Sequence, residues 1–158
     1  MRIVEALGVC TGRAVSGEPG HGPCKVWIIS LEDSYEELQR GVAAGVLHYG
    51  DTGDEIRGKL FLAAGRDMNI IFARQDRDGI TVDDALVDYL TAKITENKIG
   101  LVSIDPWVGA TGIQENDNVA MNAAVGAVRA VCDVTDCAAS LVHHIRKGNG
   151  DDANVDSI

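Results

Sequence analysis

The chain has 158 residues, 46% of them hydrophobic and 24% charged, with aromatics at only 4%, which suits one domain whose core is built from Ala, Val, Ile and Leu. Its net charge is −10, with 14 Lys and Arg dispersed among 24 acids, and this disfavours nucleic-acid binding by this chain alone, because broad nucleic-acid surfaces carry clustered basic residues. No apolar run reaches the length of a membrane span and Met1–Gly8 is too short for a secretory signal, so no membrane contact and a cytoplasmic location are expected.

From the start of the chain, Ile3, Leu7 and Cys10 fall on one helical face, as at the end of a helix. A loop rich in Gly and Pro runs from Thr11 to Cys24. Val26-Trp-Ile-Ile-Ser-Leu31 is almost continuously apolar, which predicts a strand buried on both faces, as in a parallel sheet. Ser34 and Glu37 have the spacing of a capping box, followed by Tyr35, Leu38, Val42 and Val46 at helical intervals and by Gly50 as a stop. Leu60–Leu62 and Asn69–Phe72 read as two short strands, and Asp76-Arg-Asp-Gly79 as a turn. Thr81 is a candidate cap for a second helix carrying Val82, Leu86, Leu90 and Ile94 on one face.

Leu101–Ile104 is the next buried strand, stopped by Asp105-Pro106. After a polar loop to about Asn116, Asp117–Val131 is an Ala- and Val-rich helix, and Cys137–Val142 a further buried strand ending at His143-His144. The remainder, Lys147–Ile158, is rich in Gly and Asp without periodicity and is expected to be loose unless docked. The alternation of strands and helices predicts an α/β fold of right-handed βαβ units with a mostly parallel sheet, in a single domain over 1–158 with a flexible tail at 148–158. The four cysteines show no CxxC spacing. Cys132 and Cys137, five apart, match neither a zinc knuckle nor a redox pair, so free thiols are expected.

Ligands of open parallel sheets bind at the carboxyl ends of the strands. Three strand ends here carry ionisable groups: Glu32-Asp33, Asp105 and His143-His144. Leu101 to Asp105 has the form of a Walker B motif, in which a buried strand fixes a carboxylate that orients Mg²⁺ through water beside nucleotide phosphates. By itself that pattern is also an ordinary turn. Glu32 can polarise an attacking water, or with Asp33 simply favour the positive end of the helix after Ser34. Adjacent strand residues face opposite ways, so His143 and His144 do not readily chelate one metal; one of them can face a phosphate or carboxylate across the site. Arg146 and Lys147 can reach an anion there or be solvated loop charges. Gly17-Glu-Pro-Gly-His-Gly22 fits G-x-x-x-x-G, but Pro23-Cys24 replaces the Lys and Ser or Thr of a phosphate-binding loop and a strand follows where a helix is needed.

Taken in order, Ile29-Ser-Leu-Glu-Asp-Ser34 with Glu37-Leu38, Ser103-Ile-Asp-Pro106, and Leu141-Val-His-His144 with Lys147 resemble the RepA-like branch of RecA-like ATPases. Thr11-Gly12-Arg13 resembles the end of the helix that follows the phosphate-binding loop there. The resemblance implies a three-layer RecA-like core lacking the P-loop strand, with ATP and Mg²⁺ as cofactors and a replication or mobile-element context. It implies Glu32 as the water-activating glutamate, Asp105 as the Walker B aspartate and metal residue, and His144 or His143 at the sensor position, with His143 and Lys147 toward the nucleotide. The P-loop strand of that family lies beside the strand ending at the histidine pair and would precede the first residue here. The chain is then expected to be a truncated core that binds ATP poorly alone and forms a homodimer or larger homo-oligomer through the exposed sheet edge or the first helix. A non-catalytic, partner-binding relic of such an ATPase is the alternative.

Overall fold

A computed structural model describes residues 2–15, 17, 22–65, 68–114 and 116–143. The chain runs α1 (Arg2–Thr11), β1 (Lys25–Ser30), α2 (Tyr35–Tyr49), α3 (Gly53–Ile56), β2 (Leu60–Ala64), β3 (Ala73–Asp76), β4 (Gly79–Val82), α4 (Asp84–Asn97), β5 (Ile99–Asp105), a 3₁₀ turn (Trp107–Ala110), α5 (Asn118–Thr135) and β6 (Ala138–Leu141). Four strands form one sheet in the order β2-β1-β5-β6, and every neighbouring pair is parallel. This is the three-layer α/β arrangement of a RecA-like core.

The continuous apolarity of β1 follows from its central place. Val26 and Ile28 face one layer and pack with Ala6 and Cys10 of α1 and Leu38 of α2. Trp27 and Ile29 face the other, where Leu86, Leu90 and Ile94 of α4 meet Ala124, Ala127, Val128 and Val131 of α5. A period of two across the strand thus serves two separate cores. Helices α1 and α2 approach closely because α2 presents glycine: a Cβ at Gly41 would lie 2.5 Å from Ile3 Cδ1, and one at Gly45 2.6 Å from Leu7 Cδ1.

Several expectations need correction. Asn69–Phe72 is not a strand. Its apolarity reflects burial of Ile70 and Phe72, and the backbone of Phe72 bonds to loop partners instead, its N–H to Ala110 and its carbonyl to Asp83. The strands are Ala73–Asp76 and Gly79–Val82, an antiparallel hairpin whose turn is braced by Asp78 N–H donating to Asp76 Oδ1 at 2.8 Å. Thr81 and Val82 belong to that hairpin, so α4 is capped by Asp83, which accepts from Leu86 N–H. At α2 only half of the capping box forms: Ser34 accepts from Glu37 N–H, while the Glu37 carboxylate pairs with Arg40. The reciprocal box lies at Thr52 and Glu55, on the short α3. Helix α5 runs a turn further than expected, to Thr135, and β6 is mostly exposed rather than buried at Ala138 and Ala139. The tail from Lys147 lies outside the described residues. Among the described residues no helix is long and apolar enough to cross a membrane.

Asp117 starts α5 by accepting from the N–H groups of Val119 and Ala120, and its other oxygen accepts from the Gln75 amide of the hairpin at 2.6 Å. The Ala120 N–H first, and Gln75 next, hold its carboxyl below the usual carboxylate range. A depressed folded-state pKa stabilises the fold above the unfolded value and is lost as pH falls through the folded one. Asp117→Asn retains a capping oxygen; thermal midpoints measured from neutral to acid pH are expected to fall less steeply in this variant than in the parent.

Candidate active-site edge

The carboxyl ends of the strands are laced together by backbone hydrogen bonds. The register aligns Ala64 with Ser30 and Ser30 with Asp105, while Leu141 is opposite Ile104. Beyond the strands, Gly65 N–H donates to Ser30 O, Leu31 N–H to Asp105 O, Val142 N–H to Ile104 O and Trp107 N–H to Val142 O. Each strand end therefore fixes the next, and the loops leaving them start from a rigid row.

Asp105 closes β5, with 8% of its surface exposed, beside the fully buried Ser30 of β1. Glu32 lies two residues past β1 and is exposed. His143 lies two residues past β6 and is also exposed. Glu32, Asp105 and His143 thus leave neighbouring parallel strands at the same edge of the sheet. His144, Arg146 and Lys147 lie outside the described residues. Asp33 has a partner that the sequence did not suggest: the Ser30 hydroxyl donates to its Oδ2 and accepts from its N–H, both at 3.2 Å. The start of α2 is served instead by Ser34, and by Glu36, whose carboxyl its own N–H and then the Ser34 hydroxyl hold below the usual range.

Gly17 and Gly22 both have positive φ, and the chain passes from Gly22 through Pro23 and Cys24 into β1 at its amino end. That is the opposite edge from Asp105, and a strand follows, so these glycines do not form a helix-leading phosphate loop.

A clasp at the edge escaped the sequence reading. A Cβ on Gly65 would sit 2.5 Å from Leu31 Cδ2 and 2.7 Å from Leu31 Cα, and one on Gly109 3.2 Å from Leu31 Cδ1. Leu31, next to Glu32, is gripped between two glycines, one after β2 and one in the 3₁₀ turn after β5. A glycine directly after a strand end was the available signal. Beside this clasp opens a cleft of about 400 Å³ lined by Leu31, Gly65, Met68, Asn69, Ile70, Ile71 and Gly109.

The edge has a hard oxygen donor in the Asp105 carboxylate. Among the described residues no group of three or more His, Cys, Asp or Glu side chains is placed to hold a metal ion. Mg²⁺ in nucleotide sites takes one or two carboxylates, the phosphates and several waters. The Asp105 carboxylate at the strand end fits that pattern.

Gly65→Ala must displace Leu31 or the Ser30 carbonyl. It is expected to cost about 1–3 kcal/mol, read by urea unfolding, whereas alanine at the open Gly53 position, where nothing lies within 4 Å, should be near neutral.

A family described as an AAA domain matches residues 2–150. No curated protein matches the sequence.

Proposed function

The chain belongs to the AAA-domain family of P-loop NTPase-type ATPase domains, and from that premise we propose that its carboxyl edge is the part of a nucleotide-hydrolysis site that handles metal and water. The observation that carries this reading is the row set by the β1–β5 register, with Asp105 buried on the central strand pair and Glu32 two residues past the strand beside it. Nucleotide and Mg²⁺ use belong to such domains in general.

In this reading Asp105 would hold a hydrated Mg²⁺, and that ion would supply charge neutralisation to the phosphates. The near-complete burial of Asp105 and the backbone bonds on either side keep the carboxylate from reorganising. Glu32, exposed and anchored through Leu31, accepts a proton from the attacking water. His143, two residues past the neighbouring strand, would sense the γ-phosphate; the family resemblance gives His144 and Lys147 roles toward the same anion, and both lie outside the described residues. The RepA-like resemblance suggests replication or mobile-element work.

A second reading is a non-catalytic oligomeric or partner-binding module. It is favoured by β6, which pairs with β5 alone among the described strands. An unpaired strand edge invites another chain, so a homodimer or larger assembly through β6 or α1 belongs to both readings.

Titration with a non-hydrolysable Mg·ATP analogue separates them. The enzyme reading expects saturable binding that weakens at least about tenfold, ~1.4 kcal/mol, in Asp105→Ala, with Glu32→Gln binding normally. Absence of binding at millimolar nucleotide supports the module reading. Gel filtration at high concentration is expected to give a species larger than the 16.7 kDa monomer; a monomer there contradicts the assembly.

A further inference from the structure

Cys132 and Cys137 lie 4.0 Å apart, sulfur to sulfur. Their closeness follows from how α5 ends. Asp136 adopts the left-handed conformation, φ 55° and ψ 34°, which reverses the chain, and the residue after such a cap folds back against the helix's last turn. Cys137 is that residue, and Cys132 stands three before the helix end. Both border the apolar interior beside Val128, Val131 and Ala139. Cys137 is 8% exposed and Cys132 is partly exposed, so the pair sits where the apolar interior meets solvent. The contact normally made at this kind of cap needs only two apolar side chains. Two thiols add the capacity to form a bond.

We propose that Cys132 and Cys137 are an intramolecular disulfide site, oxidised by low-molecular-weight disulfides such as oxidised glutathione, that locks the end of α5 to the start of β6. The Cys132 thiolate attacks one sulfur of the glutathione disulfide, whose S–S bond breaks and expels a glutathione thiolate. The Cys137 thiolate then attacks Cys132 Sγ, breaking the mixed disulfide and expelling the second glutathione. The two cysteines lose two electrons, the glutathione disulfide gains them, and the two thiol protons end on two glutathione molecules. The sulfurs must close from 4.0 Å to the bonded separation of about 2.05 Å, a movement on the scale of side-chain rotation. Burial first, and then the neighbouring Cys137 and Asp133, push the Cys132 thiol up to about 11. The exchange is therefore slow, and the pair remains a dithiol until the surroundings turn oxidising.

The test uses the full chain under native conditions. It is incubated with oxidised glutathione, its remaining thiols are alkylated, and it is digested with trypsin. Residues 130–146 contain no internal Lys or Arg, so both cysteines fall in one fragment. That fragment is expected to lose two hydrogens and resist alkylation, and the oxidised chain to melt at a higher temperature than the reduced one. The loss should disappear in Cys132→Ser and persist in a chain carrying Cys10→Ser and Cys24→Ser. Alkylation of both cysteines after oxidation, stable glutathione on either one, or a bond from either to Cys10 or Cys24 overturns the proposal. The mass readout on the unmodified sequence stands even where a variant folds poorly.

Discussion

The parallel pairing of β1 with β5 is the constraint on which everything else in this molecule rests. From Val26 opposite Leu101 to Ser30 opposite Asp105, the two strands run in step, and both are flanked by further strands. Their alternate side chains supply the buried residues that this sheet gives to both cores, with partly buried residues of β2 and β6 packed beside them. The same register that buries Ile28, Ile29 and Ile104 brings Asp105 level with Ser30 at the carboxyl edge. A slip of one residue would turn every one of these side chains to the wrong face. Hydrophobic burial therefore fixes the position of a carboxylate, and the site inherits its rigidity from the core.

The two edges of the sheet are held in different ways. At the carboxyl edge the strand ends are joined by backbone hydrogen bonds and by glycine contacts around Leu31. On the α1–α2 side, the structure depends on an ion pair. The Asp51 side chain is fully buried and accepts from the half-exposed Arg13, which also donates to the Tyr49 carbonyl, so the loop after α1 is tied to the end of α2. Among the described residues Asp51 Oδ2 has no hydrogen-bond partner. Such a pair adds little net stability compared with apolar packing, yet removing one member leaves an uncompensated buried charge. Its contribution lies in fixing how the first helix sits on the second.

Much of this was legible in the sequence where hydrophobic period and chain length agreed. The strands at 25–30 and 99–105 are nearly continuous apolar runs, and α2, α4 and α5 carry long stripes. The β3–β4 hairpin was not legible, because Ala-Arg-Gln-Asp and Gly-Ile-Thr-Val are short and half polar, and the bond from Gln75 to Asp117, the cap of α5, is a tertiary contact. Asn69–Phe72 misled for the opposite reason: a buried connector has the composition of a strand without its pairing partner. At the edge, the residue types at the strand ends marked Glu32, Asp105 and His143. The Leu31 clasp and the Ser30–Asp33 bond are tertiary facts with only a glycine and a serine to hint at them. The closeness of Cys132 to Cys137 needed the left-handed cap at Asp136, which no spacing rule for cysteine pairs contains.

The central claim is that the carboxyl edge is where this chain meets a nucleotide. Backbone amide chemical shifts recorded while a non-hydrolysable Mg·ATP analogue is added test it most directly. The account predicts shifts concentrated at 30–33, 104–109 and 142–143, with the amino ends of the strands silent. Shifts centred on the amino edge, around Gly12, Cys24 and Asp51, would contradict it.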